Sequence, residues 1–142
     1  MKIIFLDIDG VLNNIASLCY HVHIDPNLVR TLQDVVEQTE AKIVLSSSWR
    51  VFGQDNVEFM LSRLGLHAER LPPTPRLGGF RGDEVKAWLD QYQEYYGVTH
   101  YVIVDDGSDF LYDQKEYLVQ TDSRHGLLRD HGHKMIELLN KE

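Results

Sequence analysis

A chain of 142 residues, 43% hydrophobic and 25% charged, has the size and make-up of one globular unit, 1–142, built round its own core. A formal net charge of −8 excludes a broad basic groove for a nucleic-acid backbone, because such a groove works by setting Lys and Arg against phosphates. The single cysteine, Cys19, excludes an intrachain disulfide. No apolar stretch reaches the roughly 20 residues of a membrane span, and no leader-like segment follows Met1, so a cytoplasmic protein with no membrane role is expected.

Lys2–Leu6 (KIIFL) is a short continuous apolar run, the mark of a strand buried on both faces. It runs into Asp7-Ile8-Asp9-Gly10. Residues 14–24 show no period and are expected to form a loop. Asp25-Pro26 reads as an N-cap with proline at the first helical position, and Leu28, Leu32, Val35 and Val36 give the stripe of a helix ending near Thr39. A second buried strand, Lys42–Leu45, closes on Ser46-Ser47-Ser48-Trp49-Arg50. Asp55 is the expected cap of a helix through Leu64, with Gly65 at its end. A short strand is expected near Leu66–Arg70, and LPPTPRLGGF is loop by its proline and glycine content.

Gly82 or Asp83 starts a helix with Val85, Trp88, Leu89 and Tyr92 on its apolar side, stopped by Gly97. Tyr101–Val104 is the next strand and leads into Asp105-Asp106-Gly107. Tyr117–Gln120 reads as a last strand and Asp130–Asn140 as a closing helix. Strands and helices alternating at this spacing imply crossover connections. The fold class is therefore α/β: a Rossmann-like three-layer sandwich of about five mostly parallel strands with helices on both faces.

In such sheets ligands gather beyond the carboxyl ends of the strands, where strand order reverses. Three polar clusters follow three strand ends: Asp7/Asp9, Ser46 and Asp105/Asp106. Several carboxylates in one crevice repel one another, and a hard divalent cation relieves this. Magnesium, which takes one or two carboxylates and a phosphate oxygen, suits the set better than zinc. Of Asp7 and Asp9, one can be nucleophile or metal ligand while the other carries a proton. A serine and a cationic side chain would complete a clamp on phosphoryl oxygens. His21/His23 and His131/His133 have i, i+2 spacing but no further metal-site pattern, and are expected at the solvated surface.

These stretches resemble the haloacid dehalogenase (HAD) superfamily of phosphotransferases, motif by motif. FLDIDGVLN resembles its first motif, IVLSSSWR its second, RGDEVKAWL its third and YVIVDDGSD its fourth. The wording is closest to the small HAD domains of Swiss-army-knife-type RNA repair proteins.

The resemblance implies that Asp7 attacks phosphorus and ligates magnesium. It implies that Asp9 offers its backbone carbonyl to the metal and acts as general acid and base. Ser46 and Arg81 would bind the phosphoryl group, and Asp105 and Asp106 would complete the metal site. The third-motif cation of the superfamily is most often Lys; here Arg81 holds the place, Lys86 is the alternative, and Arg50 is a further candidate for phosphate.

The 36 residues between Asp9 and Ser46 and the 34 between Ser46 and Arg81 leave no space for a cap domain. The expected activity is a magnesium-dependent phosphatase acting through an aspartyl-phosphate. The expected substrate is phosphorylated, a nucleotide or nucleic-acid end among the candidates. The alternatives are a phosphotransferase to an acceptor other than water, and a non-catalytic phosphate- or magnesium-binding module. Oligomeric state is not legible.

Overall fold

The computed structural model describes residues 1–142. Four strands form one parallel sheet in the order β2-β1-β3-β4: β1 (Lys2–Leu6), β2 (Lys42–Leu45), β3 (His100–Asp105) and β4 (Leu118–Gln120). Five helices connect and cover them: α1 (Ile15–Cys19), α2 (Pro26–Thr39), α3 (Gln54–Arg63), α4 (Arg81–Tyr96) and α5 (Arg129–Leu139). The sheet is buried on both faces, as its continuous apolar runs require. Ile4 and Leu6 point into a cluster with Val29, Leu32 and Met135 of α2 and α5, while Ile3 and Phe5 join Val85 and Trp88 of α4 on the other face. No helix is long and apolar enough to cross a membrane.

Strand order reverses at β1, whose chain neighbour β2 lies on one side and β3 on the other. Leu6 is level with Leu45 on β2 and with Val104 on β3. The residues that leave the sheet next, Asp7, Ser46 and Asp105, therefore emerge side by side. The Asp7 N–H donates to Val104 O at 3.1 Å and the Ser46 N–H to Leu6 O at 2.9 Å, extending the ladder to the mouth of the crevice.

The structure has four strands where about five were expected. Residues 66–70 contribute only an isolated bridge, Ile43 to Arg70. Pro72, Pro73 and Pro75 follow at once and have no N–H to continue a ladder, so the segment runs beside β2 without becoming a strand. The expected loop 14–24 contains α1, a five-residue helix too short to show a period. It is held by Asn14 Oδ1, which accepts from Ser17 N–H at 2.8 Å, and by Ser17 Oγ, which accepts from Asn14 N–H at 3.0 Å.

Asp25 caps α2 as expected, accepting from Asn27 N–H at 2.9 Å. Asp55, by contrast, lies in the first turn of α3, which starts after Gly53 and a 3-10 turn at Ser48–Phe52. No cap domain interrupts the connections. Between β1 and β2 lie α1 and α2, and between β2 and β3 the 3-10 turn, α3 and α4.

Candidate active site

Asp7, Asp105 and Asp106 bring one carboxylate oxygen each to within 4.8 Å of one another. Asp7 and Asp105 are buried at the ends of adjacent strands, and Asp106 is half-buried. Asp106 gets this close because residue 10 is glycine. Gly10 adopts φ +78°, and a Cβ there would meet Asp106 Oδ2 at 2.2 Å. The Gly10 turn is fixed on both sides. Its N–H donates to Asn13 Oδ1 at 2.8 Å, and its carbonyl accepts from the buried Thr121 hydroxyl at 2.7 Å.

Crowding buried carboxylates disfavours their charge. Burial first, and then the Asp105 charge, raise the Asp7 pKa to about 8 against the opposing pull of Arg81. Burial raises Asp105 to about 6, opposed by the Gly107 N–H, which donates to its Oδ1 at 2.8 Å, and by Arg81. Three carboxylate oxygens this close, two of them on groups whose charge burial disfavours, form a set that fits a hard divalent cation.

Arg81 is the first residue of α4 and reaches into this cluster. Its Nη1 lies 3.4 Å from Asp7 Oδ1 and 3.4 Å from Asp105 Oδ2, and it donates to the Ser46 carbonyl. The helix start that carries it has no local capping side chain. Asp109, from the loop after β3, accepts from Arg81 N–H through Oδ2 at 3.0 Å and from Gly82 N–H through its carbonyl at 3.0 Å. Ser46 is fully buried, and its hydroxyl has no hydrogen-bond partner in the protein. An unpartnered buried hydroxyl beside a guanidinium is a ready donor to an anion.

Arg50 and Lys86 are placed differently. Arg50 Nη1 donates to the Ser46 and Ser47 carbonyls at 2.6 and 3.0 Å, and Nη2 pairs with Glu84 Oε1 at 2.9 Å. Both of its terminal nitrogens are thus engaged with protein. Glu84 also accepts from Leu77 N–H at 2.9 Å, tying loop 71–80 to the site. Lys86 is exposed and paired with Asp90 one turn on, at 2.7 Å.

The carboxylate of Asp9 is not one of the three clustered groups; it is exposed, and its Oδ1 accepts from Asn13 Nδ2 at 2.9 Å and Trp49 Nε1 at 3.1 Å. These two donors, with Glu84 and Asp109, are site residues that sequence reasoning did not single out. Among the histidines, His131 Nδ1 accepts from Leu128 N–H at 2.9 Å, a helix-start contact. A cavity of about 670 Å³ between β2, α3 and residues 66–70 is lined by none of the site carboxylates.

A parallel α/β sheet with no cap, whose strand ends present Asp-x-Asp, Ser and an acidic pair side by side, defines a small HAD-like fold. The chain belongs to the family described as the HAD domain in Swiss Army Knife RNA repair proteins, which matches residues 3–131. No curated protein and no solved structure matches it.

Proposed function

We propose that the protein is a magnesium-dependent phosphomonoester hydrolase working through an aspartyl-phosphate. The observation that carries this reading is the emergence of Asp7, Ser46 and Asp105 from three registered strand ends, with Arg81 between them. Asp7, Asp105 and Asp106 would hold magnesium, with the backbone carbonyl of Asp9 as a further ligand. When bound, the cation supplies the positive charge that lets Asp7 stay ionised and that balances the phosphoryl oxygens.

Arg81 and the Ser46 hydroxyl bind the phosphoryl oxygens. Arg50 holds the Ser46 carbonyl from behind rather than meeting phosphate itself. An Asp7 oxygen attacks phosphorus while the bond to the leaving oxygen breaks, and Asp9 gives that oxygen a proton. With Oδ1 already accepting two N–H groups, the proton of Asp9 sits on Oδ2. Asp9 then takes a proton from water as the water oxygen attacks phosphorus. The Asp7–phosphorus bond breaks, releasing inorganic phosphate and restoring the Asp7 carboxylate and the protonated carboxyl of Asp9.

With no cap to close over a small metabolite, the open crevice accepts a phosphate presented on a larger body. The RNA-repair context of the family points to the terminal phosphate of a nucleotide or nucleic-acid strand. A net charge of −8 limits the contact to the end of such a strand.

The test is release of inorganic phosphate from p-nitrophenyl phosphate with magnesium, in wild type and Asp7→Asn. Asp7→Asn is expected to remove turnover while keeping the fold. Retention of more than about a tenth of the wild-type rate, a loss under about 1.4 kcal/mol, rejects Asp7 as nucleophile.

A further inference from the structure

The turn after β2 places aromatic side chains beside the catalytic carboxylate that the reaction scheme gives to the leaving group. Trp49 donates its indole N–H to Asp9 Oδ1 at 3.1 Å. The ring of Phe52 meets Trp49 edge to face, with centroids 5.9 Å apart and an interplanar angle of 84°. Trp49 packs partly against the core, whereas Phe52 is 63% exposed. Phe52 therefore packs on Trp49 through one contact and leaves most of its ring to solvent.

The turn that presents it is nonetheless firmly anchored. Ser47 Oγ accepts from Trp49 N–H at 3.1 Å, and Arg50, within the same turn, is locked by the buried Glu84 pair. A solvent-facing aromatic carried on an anchored turn next to a reaction centre is a partly preorganised contact surface.

Building on the phosphatase reading above, we propose that Phe52, backed by Trp49, is the stacking platform for the nucleobase of a nucleotide whose phosphate is bound at Asp7. Asp9 protonates the leaving oxygen, so whatever touches Asp9 borders the group that departs. The indole of Trp49 touches it, and Phe52 continues the apolar surface outward. The occupant of such a surface is flat and apolar on its faces.

Net charge favours the same occupant. In a chain at −8, a grip on a nucleotide gains little from extra phosphate contacts, whereas base stacking on an aromatic ring costs no charge and tolerates any base. The hydrogen bonds that hold the turn also reduce the backbone entropy lost when a base binds on it.

The experiment compares kcat/KM, with magnesium, for adenosine 5′- and 3′-monophosphates and for ribose 5-phosphate, which lacks the base. In wild type the better adenosine nucleotide is expected to exceed ribose 5-phosphate by about tenfold, the scale of one stacked base. Phe52→Ala is expected to cut that ratio by about fivefold or more, and Phe52→Tyr to keep it. A wild-type ratio near one, or a ratio unchanged in Phe52→Ala, overturns the platform.

Calorimetric titration of adenosine monophosphate into wild type and Phe52→Ala, with magnesium, separates this inference from the reading beneath it. If no substrate is turned over, the phosphatase reading fails. An affinity about fivefold or more weaker in Phe52→Ala still upholds the platform, and equal affinities refute it.

Discussion

Gly10 and Asp106 share one small volume: a Cβ on the first would stand 2.2 Å from Oδ2 of the second. The acidic pair after β3 can close on the end of β1 only because residue 10 has no side chain and tolerates φ +78°. Gly10→Ala is expected to cost about 1–2 kcal/mol from the left-handed backbone alone, measured by urea unfolding. It should also push Asp106 out of the carboxylate cluster and shrink the response to magnesium. Wild-type stability with an unaltered magnesium response would show that the close approach constrains nothing.

Magnesium is expected to raise the melting temperature, because the clustered carboxylates of Asp7, Asp105 and Asp106 exist only in the folded chain. The comparison is a thermal melt in millimolar magnesium against one in chelator. In Asp105→Ala the rise should be largely lost. A shift of undiminished size in that variant would move the cation site elsewhere.

The raised pKa values give the metal-free protein a definite pH dependence. Asp7 titrates at about 8 in the folded chain and Asp105 at about 6, both from an ordinary value of 3.8. The folded state therefore holds protons that the unfolded chain has already released. Their stabilising contribution is complete below about pH 4, declines as pH rises through about 6, and is gone above about 8. Melts in chelator from about pH 5 to about 8.5 should show falling stability, and Asp7→Asn should flatten the fall. Parallel curves for the two proteins would remove Asp7 as its source.

Glu84 and Arg50 form an ion pair whose side chains are only 7% and 8% exposed. Burial presses the Arg50 pKa down and Glu84 opposes that effect. Replacing Glu84 by Gln leaves a buried guanidinium without its counter-charge, with an expected loss of about 3 kcal/mol in chemical denaturation. The buried surroundings of Ser46 depend on this pair, so activity should fall in the folded variant as well. A loss below about 1 kcal/mol would mean the pair is solvated in solution.

What the sequence made legible follows physical range. KIIFL, KIVL and the strand before Asp105 are apolar on both faces, so their type and the polar residues at their ends could be read directly. The Asp25-Pro26 start of α2 and the Gly97 stop of α4, at φ 65°, are chemical signals within one turn. The contacts that were missed span distance instead. Trp49 reaches Asp9 across 40 positions, Asp109 caps α4 across 28, and Glu84 meets Arg50 across 34. No local period encodes such pairs. The expected strand at 66–70 failed for another reason: Leu-His-Ala-Glu-Arg has little apolar content to bury, and the prolines after it cannot donate to a ladder.

The proline-bearing segment beside β2 also bears on how separate molecules meet. It is fastened along the outer side of β2 by Ile43 N–H to Glu69 O, Leu71 N–H to Ile43 O and Thr74 N–H to Leu45 O, at 2.9, 3.0 and 3.1 Å. The groups through which a neighbouring copy could extend the sheet there are already engaged, and Pro72, Pro73 and Pro75 offer a newcomer no donors. At the opposite border β4 is three residues long, too short to template a ladder. The open-sided sheet is thus shielded at one border and curtailed at the other, a guard against cross-β assembly in concentrated solution.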